Sequence, residues 1–526
     1  MPGDVTEPVE AAPVEPVLVE PVPLPRWVVA VTVVVSLVVL AGRFFVRSGL
    51  WLDEALSVNI ARLPLGEIPG ALRHDGHPPL FYVLLHGWMR VFGTSDHAVR
   101  GLSAVFSFAC LPLAFRIGRR LGGHRVAWLS VMVLAVSPYF LRYGSEARMY
   151  SLIMLLVFAG YLVIVNALES PTLPWLIGTT LITAALLWTH YWSMWVLGAT
   201  GLALIIRWFR QRDRASLMVI GSVVVGGVAF LPWVPTMLYQ AAHTGTPWAK
   251  AFRPATLIVQ SWQEFSGGPY SESQVLSLFM VAIVLLGLCG RAIDEWRIEL
   301  DLRTRAEARL PAMALVLTVI VASIGGIATQ TTFAPRYAAI YYPFIIMLTA
   351  LGISRFRGRI VPSVAIVVFL LLSIVGNLVV LRLHRTEAVL VGDAVHGVGD
   401  RGALIVTCPD QLGPAVARAV GPGYEIVTYP NFAPPDRVDW VDYAQRNAAS
   451  DPDAFVAELL HRAQDRRIFL AVETNYETLQ AKCAALVTLL GAQRSAQVLV
   501  RSKTPDYFET MSLYVFEPRP ATPPAS

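Results

Sequence analysis

About eleven stretches of this chain are apolar enough and long enough to cross a lipid bilayer, which leaves few folds open to it. They lie near residues 27–46, 100–117, 124–141, 149–168, 174–190, 192–207, 215–238, 273–290, 310–330, 335–353 and 360–382. Backbone polar groups in hydrocarbon must find partners within the chain, so each stretch is predicted to be a helix. The composition agrees. Of 526 residues, 55% are hydrophobic and 15% charged, with a mean hydropathy of +0.55, which excludes an ordinary soluble enzyme. The net charge of +5 is small for this length and gives no reason to expect a nucleic-acid partner.

The placement of Lys and Arg sets the orientation. Four basic loops, Arg116–Arg125, Arg207–Arg214, Arg291–Arg309 and Arg355–Arg359, belong on the cytoplasmic side. They fall on one side together only if the short segment Pro79–Phe92, which carries His86 and Arg90, lies along the membrane surface instead of crossing it. Residues 48–97 then form one large first extracytoplasmic loop. The polar connections 145–150, 189–192, 239–272 and 333–337, and everything beyond Leu383, emerge on that same face.

The expected fold class is therefore a polytopic α-helical membrane protein of about eleven spans with a C-terminal extracytoplasmic α/β domain. Its parts are a disordered cytoplasmic tail rich in Pro, Glu and Val (1–25), a transmembrane catalytic domain (26–383), a soluble α/β domain (384–518) and a short disordered tail (519–526). Strand-like runs at 402–410, 425–430 and 466–473 alternate with helical patterns, and AQVLVRS and SLYVFE add closing strands. No phosphate-binding glycine motif occurs in this region, so a structural or acceptor-docking role is expected of it. Of four cysteines, Cys110 and Cys289 sit in apolar runs, while Cys408 and Cys483 are able to pair only in an oxidising compartment.

Ionisable residues crowded against a span are costly unless they serve a site. Among those in Trp51–Pro79, directly after the first span, are Asp53, Glu54, Arg73, His74, Asp75 and His77. Gly76 permits a sharp turn and Pro78 fixes the start of the next helix, so His74, Asp75 and His77 are expected to face one cavity. Two histidines around a carboxylate leave a divalent cation open as an alternative, with the metal unknown. Glu146 and Tyr150 are expected to share a helix face at i and i+4, with Arg148 pointing elsewhere. Arg336 offers a planar fork for phosphate, and Tyr337, His190 and Tyr191 stand beside these groups in the outer connections. Residues 239–272 carry His243, Trp248, Lys250, Arg253, Trp262 and Glu264, and SGGPYSES supplies a Gly-Gly hinge that suits a lid; an interfacial helix would have the same composition, and no residue here takes an assigned role. With carboxylates and cations gathered on one face, the pattern fits an enzyme acting on a lipid-linked substrate at the outer leaflet.

WLDEALS, DGHPPLFYVLLHGWMRVFGTS, AVRGLSAVFSFACLPLAFRIGRRLGG, SPYFLRYGSEARMYSL, THYW and FAPRYAAIYYP, taken in this order, resemble the C-type (GT-C) membrane glycosyltransferases. They are most similar to the bacterial mannosyltransferase-like branch related to protein O-mannosyltransferases and aminoarabinose transferases. The resemblance covers residues 27–360. It implies transfer of a sugar from a polyprenyl-phosphate donor to a cell-envelope glycan, glycolipid or protein acceptor, with inversion and without a certain cofactor. Mannose is the first expectation for the sugar, arabinofuranose or another pentose the second. It further implies that Asp53 is the catalytic base, with Glu54 orienting the acceptor or holding the loop, and that His77 stands where relatives often carry a phosphate-binding Lys. The setting expected is the plasma membrane of a bacterium, with membrane lipids, donor and acceptor as partners in cell wall biogenesis. A transporter or flippase of lipid-linked sugars is the contrasting class; it calls for mid-membrane ionisable groups and inverted repeats, and neither is evident.

Overall fold

The computed structural model describes residues 23–518 except 45, 47, 245–252, 270, 296, 330, 475–478, 480 and 504–505. The tails expected at 1–22 and 519–526 fall outside the described residues, as do Trp248 and Lys250.

The membrane part begins with α1 (Arg26–Gly42), followed by three short helices, α2 (Leu52–Ala61), α3 (Ile68–Asp75) and α4 (Leu80–Phe92). Then come α5 (Asp96–Ala135), α6 (Pro138–Gly144), α7 (Tyr150–Glu169), α8 (Leu173–Thr189) and α9 (Ser193–Gln211). The series continues with α10 (Arg214–Val228), α11 (Val234–His243), α12 (Pro254–Phe265) and α13 (Ser271–Cys289). A hairpin of β1 (Gly290–Ala292) and β2 (Ile298–Leu300) leads to α14 (Ala306–Thr329), a 3-10 turn at Pro335–Ile340, α15 (Tyr342–Ser354) and α16 (Ile360–Arg382).

Among the described residues, six helices meet the length and hydropathy needed to cross a membrane: 96–135, 150–169, 214–243, 272–289, 306–329 and 360–382. The first of these is two arms, because Gly122 and Gly123 (φ +72°) leave helical geometry and the chain doubles back. The second arm returns so closely that a Cβ on Gly118 would stand 2.6 Å from Ser130 Oγ. With α1, α8, α9 and the pair formed by the 3-10 turn and α15, the helices correspond to the eleven expected runs. Helix α4 has 13 residues and spans only about 20 Å, short of a roughly 30 Å hydrocarbon core.

Helix α15 is buried from Tyr342 to Ile353 on every side, as a helix apolar all round must be. The four basic loops share one end of the bundle. Arg125 donates to the Phe356 carbonyl, Arg355 pairs with Glu307, Arg120 pairs with Glu169, and Ala167, Leu204 and Val219 cluster beneath the 207–214 turn.

Beyond α16 the chain forms β3 (His384–Thr386), α17 (Ala388–Val398), β4 (Leu404–Cys408), α18 (Gly413–Val420), β5 (Glu425–Thr428), α19 (Tyr443–Ala449) and α20 (Pro452–Ala463). It finishes with β6 (Ile468–Val472), α21 (Lys482–Gln493), β7 (Ala496–Val500), β8 (Tyr507–Glu509) and β9 (Ser512–Phe516). The sheet order is β5-β4-β6-β9-β7, with β4 parallel to β5 and β6, and β9 antiparallel to β6 and β7. Alternation along β4 sends Leu404, Val406 and Cys408 to a core with α20 and α21, and Ile405 to one with α17 and α18. Cys408 and Cys483 form a disulfide between the end of β4 and α21. All five expected strands are present. The short parallel ladder of β3 with β8 was not expected, because three-residue strands carry no readable alternation.

Helices α13 and α15 approach through glycines: a Cβ on Gly287 would lie 2.5 Å from the Leu348 carbonyl oxygen, and one on Gly352 would collide with that of Ile283. Gly352→Leu is expected to cost about 1–3 kcal/mol. A thermal melt of the detergent-purified variant checks this, and a melting temperature equal to wild type would contradict the packing.

Candidate active site

Trp51 is extended (ψ 175°) and α2 starts directly after it, so Asp53 and Glu54 fall in the first turn, where the helix dipole favours carboxylates. Neighbouring positions on a helix point about 100° apart, so the two acids face different surroundings. Asp53, 14% exposed, faces two guanidinium groups: its Oδ2 is 3.4 Å from Arg336 Nη2 and 3.8 Å from Arg148 Nη2. That oxygen accepts no hydrogen bond among the described residues.

Glu54, fully enclosed, is saturated instead. Its Oε1 accepts from Arg100 Nε (2.8 Å), Arg385 Nη1 (2.8 Å) and the Ala147 amide (2.9 Å), and its Oε2 accepts from Arg100 Nη2 (2.7 Å). Burial alone would raise this carboxyl, but Arg100 and Arg385 outweigh it and hold it at about 2. Glu54 thus holds the wall of the site, its two oxygens taken up by Arg100, Arg385 and the Ala147 amide.

Helix α3 ends on Gly76 in the left-handed region (φ +91°), and the turn puts Asp75 and His77 on one side. Asp75 Oδ2 accepts from His77 Nδ1 and from the Tyr82 hydroxyl, each at 2.9 Å. His77 Nε2 in turn accepts from Arg148 Nη2 at 3.2 Å, and Arg148 also donates to Ser57 Oγ at 2.9 Å. This bonding assigns the proton of the ring to Nδ1. Burial works against the Asp75 carboxylate, but His77, Arg148 and Tyr82 together hold it below the usual range. Tyr82, Asp75, His77 and Arg148 make one chain of contacts ending at Asp53.

Several expected residues stand elsewhere. The side chains of Arg73 and His74 are exposed on the far side of α3: Arg73 lies 3.8 Å from the Tyr239 ring, and His74 Nδ1 is 2.9 Å from Asp439 Oδ1. One helical turn cannot direct His74 and Asp75 the same way. Tyr191 binds Gln240 and accepts from Trp233 Nε1 at 2.9 Å, supporting the wall behind α3. Glu146 and Tyr150 do not share a helix, because α7 starts at Tyr150. The Gly-Gly pair packs closely on α16: a Cβ on Gly267 would stand 2.7 Å from the Gly376 carbonyl oxygen. In that segment Glu264 accepts from the Tyr143 hydroxyl at 2.8 Å, and His243 stands 3.1 Å from Asp442.

Glu146, His190 and Tyr337 do gather near Asp53, and Tyr150 joins them. The ring of His190 lies 5.8 Å from His77, 6.1 Å from Tyr150 and 5.0 Å from Tyr337. His190 Nδ1 accepts from the Trp192 amide at 3.0 Å, which leaves Nε2 as the donor. Glu146 Oε1, Tyr150 OH and His190 Nε2 are enclosed polar atoms without hydrogen-bond partners among the described residues. Such atoms are costly unless a ligand or water meets them. Burial raises the Glu146 carboxyl, and Arg385 only partly offsets it.

Sequence reasoning missed Arg100, Arg385, Tyr82 and Glu509. Arg100 carried a signal, a lone cation opening an apolar run, whereas Arg385 reads like any cation at a helix end. Among the described residues no three His, Cys, Asp or Glu side chains converge as a metal site. A cleft of about 910 Å³ lies apart from this chemistry, between Asn59, Arg62 and Asp96 on one side and Val389, Arg418 and Tyr424 on the other.

Two outcomes follow from this division of labour. Glu54→Ala leaves Arg100 and Arg385 buried without their carboxylate and is expected to cost about 3–5 kcal/mol, against less than about 1 kcal/mol for Asp53→Asn; denaturant unfolding in detergent separates them, and equal losses would contradict the assignment. Enclosure pushes the Glu509 carboxyl up to about 8, with Asp53 and Glu54 adding to the rise and the hydrogen bond from the Leu52 amide opposing it. An acid raised in the folded state binds its proton more tightly there than the unfolded chain does, near about 4.3. Stability is therefore expected to fall as pH rises from about 4 to about 8 and then level off. Melts of wild type and Glu509→Gln across this range check the sign, and parallel curves would contradict it.

Residues 76–235 match the family model described as dolichyl-phosphate-mannose-protein mannosyltransferase. The structure superposes on ArnT from Cupriavidus metallidurans bound to undecaprenyl phosphate, with 12% identity and a TM-score of 0.59, and on the same protein in the apo state, with 12% identity and 0.60. Each superposition covers 93% of this chain and 97% of that chain. The arabinofuranosyltransferase AftD from Mycobacteria covers 94% of this chain and 42% of its own at 14% identity and a TM-score of 0.47. No curated protein matches the sequence. The chain has the GT-C fold, and the resemblance to C-type membrane glycosyltransferases carried by its motifs extends in three dimensions over 93% of its length.

Proposed function

We propose that this protein is a glycosyltransferase that takes a sugar from a polyprenyl-phosphate carrier and passes it, with inversion, to an acceptor hydroxyl of the cell envelope. The observation that carries this reading is Asp53 Oδ2, enclosed, facing Arg336 and Arg148, and accepting no hydrogen bond among the described residues. Asp53 removes the acceptor proton as the acceptor oxygen bonds to the anomeric carbon. The bond from that carbon to the phosphate oxygen breaks, and Arg336 and Arg148 balance the charge left on the lipid phosphate. The donors His190 Nε2 and Tyr150 OH, with Glu146, meet sugar hydroxyls. His77 serves by fixing Arg148, since its own Nε2 is already engaged.

The relative solved with undecaprenyl phosphate supports a polyprenyl-phosphate donor, and the family match over 76–235 supports mannose as the first sugar to test. The separation of the basic loops from Asp53 supports an extracytoplasmic site, and the Cys408–Cys483 disulfide supports an oxidising compartment for the C-terminal domain.

The test is transfer of radiolabelled sugar from polyprenyl-phosphate mannose and polyprenyl-phosphate arabinose to membrane acceptors. Wild type is expected to transfer one of them, and Asp53→Ala and Asp53→Asn to fall by at least about a hundredfold while remaining folded. Unchanged transfer in both variants would remove Asp53 from the chemistry.

A further inference from the structure

The C-terminal domain reaches the residues on either side of Asp53 through its shortest strands. β3 and β8 pair in parallel, with Thr386 opposite Glu509. From this ladder Phe508 packs edge-on against Trp51 at 4.9 Å between ring centres. Glu509 Oε1 accepts from the Leu52 amide at 3.1 Å, and Arg385 Nη1 donates to Glu54 Oε1 at 2.8 Å. Trp51, Leu52 and Glu54 are thus each held by a neighbour from the ladder.

The Leu52 amide is one of the first N–H groups of α2, which the helix itself cannot satisfy, and Trp51 offers it no side-chain cap. A carboxyl oxygen of Glu509, from 457 residues away, takes that place. Its second oxygen, Oε2, is enclosed and has no hydrogen-bond partner among the described residues, an arrangement too costly for a contact of mere convenience. The same turn of helix carries Asp53, and Arg336, which faces Asp53, lies 5.8 Å over the Trp51 ring. A shift of the α2 terminus moves Asp53 against both guanidinium groups.

We infer that Glu509 is a positioning residue: by capping α2 from the C-terminal domain it fixes where Asp53 stands, so that this domain completes the active site. The inference rests on the proposed transfer reaction for its kinetic consequence but not for its structural one. Glu509→Gln keeps a carbonyl oxygen for the Leu52 amide, whereas Glu509→Ala removes it.

The experiment measures kcat and KM for the productive polyprenyl-phosphate donor, together with hydrogen exchange of residues 52–56, in wild type and both variants. Glu509→Ala is expected to lose about tenfold in kcat with KM within about twofold, and to exchange faster at 52–56, while Glu509→Gln stays near wild type in both. Wild-type kcat and exchange in Glu509→Ala would overturn the inference. So would equal losses in both variants accompanied by a lowered melting temperature, the signature of a role in stability alone. If wild type transfers from no polyprenyl-phosphate donor, the proposed reaction falls, and faster exchange in Glu509→Ala alone still upholds the cap.

Discussion

A carboxylate enclosed away from water, Glu54, joins four parts of the chain that are remote in sequence. Arg100 at the start of α5, the Ala147 amide before α7, and Arg385 at the head of the C-terminal domain all meet it on α2. Ionised at this depth it is tolerable only because two guanidinium groups and an amide replace its hydration, and its removal would leave those cations stranded. The interior wall of the site depends on this one group.

The adjacent residue has the opposite character. Asp53 shares the turn with Glu54, but among the described residues its Oδ2 accepts no hydrogen bond and two guanidinium groups lie 3.4 and 3.8 Å away. One acid is spent on structure so that the other is held in place without being neutralised by tight pairing. Behind the cations, His77 and Asp75 orient Arg148, and Trp51 lies under Arg336. The geometry thus separates holding from the proposed reacting role, which is what the proposed transfer, with a proton taken up and a phosphate released, requires.

Much of this was legible in the sequence, for physical reasons. Apolar runs of spanning length are unambiguous, and the basic loops that mark one side do gather at one end of the bundle. Ionisable residues beside spans are rare enough that Asp53, Asp75, Glu146, Arg148, His190 and Arg336 stood out, and the structure brings them together. What failed was direction. Arg73 and His74 are two and one positions from Asp75 yet face away, because side-chain orientation on a single-turn scale depends on where α3 docks. Arg385 and Glu509 were invisible, since nothing local marks a residue whose partner lies hundreds of positions off. At Gly267 the structure shows close packing against α16, a use of glycine that the sequence does not distinguish from a hinge.

The central claim is that the cations facing Asp53 hold a lipid phosphate. Binding of undecaprenyl phosphate to the purified protein in nanodiscs, read by native mass spectrometry, tests it most directly. Arg336→Gln is expected to weaken binding by about tenfold or more, the loss of one charge-assisted phosphate contact, while Asp53→Asn binds at least as well as wild type. Undiminished binding in Arg336→Gln, or loss of binding in Asp53→Asn, would contradict the account.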